Sequence, residues 1–239
     1  MSKLSIKRIR SSTLLAGFIL HVIVATQHTY SNITRYYHSY LTELNSINIK
    51  FETIEIIFSV VTAVNSICIP IGVLLNGYFN TVTITVVGLM LNLFSNSVMI
   101  YCPQINLVII SLILGSIGCG LVYMPIIIEI WQYYPRDMGV ATSIAFSGFC
   151  LTRLLFKYIS VFLINPNKVS FISKEELYPS EINDRFKSYL KKSLIFFSVL
   201  SVLCVYCIYP YSIYIYSDSK NVPFVLEYHN KKIKFKATK

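Results

Sequence analysis

Six long apolar stretches dominate this sequence, and they leave few folds open to it. They run over residues 13–31, 54–76, 81–101, 105–129, 140–164 and 193–216, separated by short polar breaks. A helix that crosses about 30 Å of hydrocarbon needs roughly 20 mostly apolar residues, and each stretch supplies about that many. In lipid the backbone has no water to bond, so a helix, which pairs its own amides and carbonyls, is the natural way across. The chain therefore reads as an all-α, polytopic membrane protein of six transmembrane helices. Residues 1–12 form an N-terminal tail, 165–192 an external loop and 217–239 a basic C-terminal tail.

Composition supports this. Hydrophobic residues make up 54% of the 239 and charged residues 13%, where a soluble domain carries about 25% charged residues. Mean hydropathy is +0.60. An ordinary soluble globule is excluded, and so is a disordered chain, which needs low hydrophobicity and high charge. Six cysteines in this length are too few for a disulfide scaffold. No Gly/Ser-rich or Pro-rich linker divides the chain, so one bundle is expected. Lys3, Lys7, Arg8 and Arg10 precede the first stretch much as in a signal peptide, but the stretch is too long and lacks a small-residue cleavage site. It reads as a retained first helix.

Cytoplasmic segments carry excess Lys and Arg. Four basic residues precede the first span, and Lys220, Lys231, Lys232, Lys234, Lys236 and Lys239 follow the last, against Asp218 and Glu227. Both termini are expected in the cytoplasm, with the turns at 76–80 and 133–139 on the same side. The external loop is then the exception to the rule, since Lys168, Lys174, Arg185, Lys187, Lys191 and Lys192 accompany Glu175, Glu176, Glu181 and Asp184 there. The net charge of +10 is thus explained by topology, with the lipid bilayer and no nucleic acid as its partner. The plasma membrane is the expected location.

Three segments carry a resemblance. Trp131, Tyr134, Pro135, Arg136 and Asp137, followed by the small-residue run Gly139, Ala141, Ser143, Ala145, Ser147 and Gly148, stand between the fourth and fifth spans. Gly17, Leu20, His21, Ala25, Gln27, His28 and Tyr30 mark the first. Gly72, Asn76 and Gly77 close the second. Together these resemble the oxalate/formate antiporter and monocarboxylate transporter branch of the major facilitator superfamily, as its N-terminal six-helix half only. In that alignment His28 takes the place of a tyrosine on the substrate path, and Asn76 and Gly77 replace the charged pair of a gating turn. The resemblance implies alternating access, a small organic anion as substrate (a monocarboxylate or dicarboxylate), exchange or proton symport, and a second six-helix half or a homodimer as partner. Gly72, Asn76, Pro135, Arg136, Asp137 and Gly139 become gating-turn candidates.

Charge within a span costs roughly 2.5–3.5 kcal/mol on insertion scales, so each instance needs a reason. Arg153 and Lys157, one helical turn apart, could attract a carboxylate, or could snorkel to the surface. Glu129 is a proton-coupling carboxylate, a pair partner for Arg153, or a residue of the membrane interface. His21 and His28 lie two turns apart on one face and suit either a proton relay or neutral buried imidazoles. Gln27, Tyr30 and Asn65 are the neutral polar candidates for the substrate path, with interhelical hydrogen bonding as the alternative. Cys204 and Cys207 have no His or Cys neighbours in sequence to complete a metal site, so no metal is expected. There is no nucleophile elbow, zinc-protease or phosphate-loop motif, so no catalytic residue, cofactor or enzymatic activity is expected. A non-transporting half-carrier or membrane scaffold is the competing reading, favoured by the charges missing at Asn76, Gly77 and Met138.

Overall fold

A computed structural model describes residues 3–29, 33–45, 49–170 and 177–217. Among these there are seven helices and no strand: α1 (Lys3–Thr29), α2 (Thr34–Asn45), α3 (Phe51–Asn76), α4 (Thr81–Tyr101), α5 (Ile105–Tyr133), α6 (Met138–Ile164) and α7 (Ser180–Ser217). All but α2 are long and apolar enough to cross a membrane. The protein is an integral, multi-pass membrane protein built as an all-α bundle, as its apolar stretches require.

α1 and α5 are central. α5 packs against α3, α4, α1 and α6, while α1 packs against α6, α7 and α5. Without a hydrophobic drive inside lipid, such crossings depend on close van der Waals fit. The α3–α5 contact shows how the sequence provides it. Pro125 has no amide hydrogen, so the carbonyl of Leu121 one turn earlier is left without its helical donor. That carbonyl sits against Gly72 of α3, where an added Cβ would overlap it and would stand 2.8 Å from the Leu121 carbonyl carbon. One turn back along α3, a Cβ on Gly120 would come within 2.6 Å of the Cys68 Cβ. The two backbones touch because neither glycine has a side chain.

Two elements depart from the expected layout. α1 runs back to Lys3, so residues 3–12 continue its helix. α7 begins at Ser180, well inside the span expected as the external loop. The head of α7 packs with α2, a short helix lying after α1. Tyr36 stacks on Tyr178 at 4.8 Å, and Tyr37 meets Phe186 edge-on at 4.8 Å. The Asn183 amide donates to Glu43, and His38 Nε2 donates to the Ile49 carbonyl at 2.6 Å. Ile54, Phe58, Met99 and Ile164 complete this core from below. Phe186 is fully buried at its centre, and removal of a buried Phe side chain costs about 3–5 kcal/mol. Phe186→Ala is expected to detach α2 from α7 and to lower the unfolding temperature in detergent markedly. An unchanged melting profile would show that this cap contributes little.

The opposite end of the bundle holds the α3–α4 and α5–α6 turns. Arg10 of α1 clasps the second of these: its guanidinium lies 3.9 Å from the centre of the Tyr134 ring and 4.0 Å from the Asp137 carboxylate.

Candidate functional site

Two polar assemblies lie within the spans. The first is a face shared by α1, α5 and α6. Small residues bring α6 onto α1, with Ala141, Ala145, Gly148 and Thr152 buried along one side of α6. On the neighbouring side this places Phe146 and Phe149 beside the two histidines of α1. His21 packs against Tyr123 at 5.1 Å and Phe146 at 5.3 Å, and His28 meets Phe149 edge-on at 5.2 Å. The Arg153 guanidinium lies 5.8 Å from the Phe149 ring centre. His28, Tyr123, Phe146 and Phe149 are half-buried and Arg153 is exposed. One strip thus carries a guanidinium and an imidazole on an aromatic bed, open to the outside of the bundle.

His21 is 1% exposed. Its Nδ1 lies 2.8 Å from the Gly17 carbonyl, which only accepts, so Nδ1 carries the proton and Nε2 presents a lone pair. Among the described residues that Nε2 has no hydrogen-bond partner.

The second assembly is a buried carboxyl at the turn end. Glu129 is 3% exposed. The Thr81 hydroxyl lies 2.8 Å from Glu129 Oε2 and 2.9 Å from Asn76 Oδ1. One hydroxyl has one proton, so two arrangements satisfy all three groups. Either a protonated Glu129 donates to Thr81, which donates to Asn76 Oδ1, or Thr81 donates to an ionised Glu129 while the Asn76 amide turns to donate its NH₂. In both, Glu129 Oε1 is left without a partner among the described residues. The carboxyl therefore ties the start of α4 and the end of α3 to α5, in a network whose proton can be held in more than one place.

The remaining candidates are distributed as follows. Lys157 is exposed one turn beyond Arg153. Gln27 is 4% exposed, in the seam between α1, α4 and α5. Neither of its amide atoms has a hydrogen-bond partner among the described residues, and a Cβ on Gly115 would sit 3.2 Å from its Nε2. Nearby Asn92 donates to Cys119 at 2.9 Å. Asn65 donates to the Ser116 carbonyl at 3.3 Å and serves the α3–α5 contact. Tyr30 lies outside the described residues. Pro135, Arg136 and Gly139 are exposed at the α5–α6 turn, and nothing lies within 4 Å of a Cβ added at Gly139. Glu129 is buried within the bundle at its turn end, and does not form the expected ion pair with Arg153 among the described residues. Its partner Thr81 and the clasp residue Arg10 were not anticipated, since both act between helices far apart in sequence.

All six cysteines are free, with Cys102 and Cys150 exposed and the others buried. Among the described residues no group of three or more His, Cys, Asp or Glu side chains is placed to hold a metal ion. Comparison of the chain with protein-family models, with curated proteins and with solved structures returns no match.

Proposed function

We propose that this membrane protein is a carrier of the major facilitator type that moves a small organic anion, a monocarboxylate or dicarboxylate, by alternating access as an exchanger or proton symporter. The observation that carries the reading is the α1–α5–α6 strip. It sets a guanidinium near the middle of a membrane-spanning helix, beside an imidazole and on aromatic rings, where the head and body of such an acid would each find a match. A guanidinium binds carboxylate through paired, charge-assisted hydrogen bonds, and intramembrane charge ordinarily marks a pathway. The resemblance of the turns and of the first helix to the transporter branch points the same way.

In this reading Glu129 carries the coupling proton. Its protonation decides which way the Thr81 hydroxyl donates, and so how the α3–α4 turn is held to α5. Glu129→Gln keeps the size and the bond to Thr81 but fixes the group in a neutral form. Proton-driven accumulation is expected to disappear while exchange of solute for solute continues. Equal loss of both modes would assign Glu129 to structure.

One observation favours a non-transporting membrane subunit instead. The α3–α4 turn is held by the neutral pair Asn76 and Thr81, in place of the charged latch expected for a gating turn. Uptake of labelled mono- and dicarboxylates into vesicles containing the purified, folded chain separates the two readings: saturable uptake supports the carrier, and its absence for every acid supports the subunit.

A further inference from the structure

The two least buried spanning helices are each three-sided. On α6, Ala141, Ala145, Gly148 and Thr152 form the buried side, and the exposed Val140, Ile144, Leu151, Leu155 and Phe162 form an apolar side. Between them runs an exposed polar side with Ser143, Cys150, Arg153 and Lys157. On α3 the buried side is Ile54, Phe58, Val61, Asn65, Cys68 and Gly72, and Ile56, Val60, Ile67, Ile71 and Leu74 are exposed and apolar. Its third side carries the exposed Glu52, Glu55, Ser59, Thr62 and Ser66, at the three- and four-residue spacing of one helix face. A helix facing only lipid outside its packing contact needs no third side.

The hydroxyls alone would not demand a partner. Ser59, Thr62 and Ser66 bond to carbonyls one turn back, as does Ser143. The charges are different. Glu52, Glu55, Arg153 and Lys157 make no ion pair among the described residues, and the acidic pair lies on α3 while the basic pair lies on α6. Their heights also correspond. The Glu129–Thr81–Asn76 network and the Arg10 clasp put the end of α3 and the start of α6 at the same end of the bundle. At 1.5 Å per residue, Glu55 stands about 32 Å from Asn76 and Ser59 about 26 Å; Lys157 stands about 29 Å from Met138 and Arg153 about 23 Å.

We propose that a second copy of this chain docks on these sides, parallel in the membrane, so that α3 of each copy lies along α6 of the other. A two-fold axis makes the pairing reciprocal, with Glu55 of one copy opposite Lys157 of the second and the hydroxyl side of α3 opposite Arg153. Charge complementarity at matched depth selects this occupant over lipid. The docked copies enclose the His28–Phe149–Arg153 strip between them, so that the site is lined by both. The use of that space rests on the carrier reading, whereas the pairing rests on the two helices alone.

The test uses two differently tagged copies of the full chain, with Cys102 and Cys150 replaced by serine, co-expressed in membranes. Glu55→Cys in one and Lys157→Cys in the other are expected to cross-link with a short bifunctional thiol reagent, whereas the apolar-side pair Ile56→Cys and Tyr158→Cys is not. In the absence of cross-linker, the unsubstituted tagged copies are expected to purify together. Glu55→Lys or Lys157→Glu in both copies should weaken this, and the two changes combined should restore it. Tagged copies that purify singly, cross-linking no greater than in the apolar pair, or a charge swap that fails to restore association would each overturn the proposal. Cross-linking without solute uptake would leave the pairing standing and remove the carrier reading; uptake without cross-linking would do the reverse.

Discussion

Replacement of Arg153 by alanine is expected to cut uptake of a carboxylate at least about tenfold while the protein remains folded and abundant. A hydrogen bond to a charged group contributes about 1.5–3 kcal/mol, and 1.4 kcal/mol is a factor of ten in affinity. The side chain is exposed, and its guanidinium lies 5.8 Å from the Phe149 ring centre. Its loss therefore leaves no cavity, and folding should be spared. Arg153→Lys keeps the charge but not the planar fork, and should retain part of the activity. The comparison separates charge from geometry: if alanine and lysine variants transport equally well, Arg153 does not touch the solute.

The second large effect is structural. Gly72→Val and Gly120→Val are each expected to force α3 from α5, because the obstructing atoms include backbone: the Leu121 carbonyl in one case, and Asn65 with the Cys68 Cβ in the other. Overpacking a tight contact costs typically about 1–3 kcal/mol, and rigid backbone leaves little room to relax. Gly139→Ala is the control. Its position is open, its φ is not positive, and alanine is the better helix former by about 1 kcal/mol. The two valine variants should melt well below the parent in detergent, with the Gly139→Ala variant unchanged or slightly higher. A reversed order would refute the crossing assigned to α3 and α5.

The spans were legible because length and apolarity decide them, and lipid permits no other use of such stretches. α2 and the head of α7 were hidden because neither is a long apolar run. Their signal lies in spacing: Tyr36, Tyr37, Tyr40 and Leu41 on one, and Ile182, Phe186, Tyr189 and Leu190 on the other, repeat at the interval of a helix with one buried side. A count of apolar length passes over that pattern. The candidate site divided the same way. That His21 and His28 share a face follows from their seven-residue spacing, and their ring partners Tyr123, Phe146 and Phe149 confirm a common surface. The partner of Glu129 could not be read from spacing, because Thr81 reaches it from another helix. The pairing with Arg153 expected across the α5–α6 interface is not formed among the described residues, and the two side chains belong to different assemblies.

A solute path along the α1–α5–α6 strip must be reached by water within the membrane, and thiol accessibility reads this directly without knowledge of the solute. With the two exposed cysteines, Cys102 and Cys150, replaced by serine, single cysteines at Phe149 and Arg153 probe the strip, and those at Ile144 and Leu155 probe the apolar side of α6. A membrane-impermeant thiol reagent applied to both sides of the membrane should label Phe149→Cys and Arg153→Cys and leave Ile144→Cys and Leu155→Cys unlabelled. Four positions equally resistant to the reagent would place the strip in lipid or in a dry contact, and would contradict its role as a solute path.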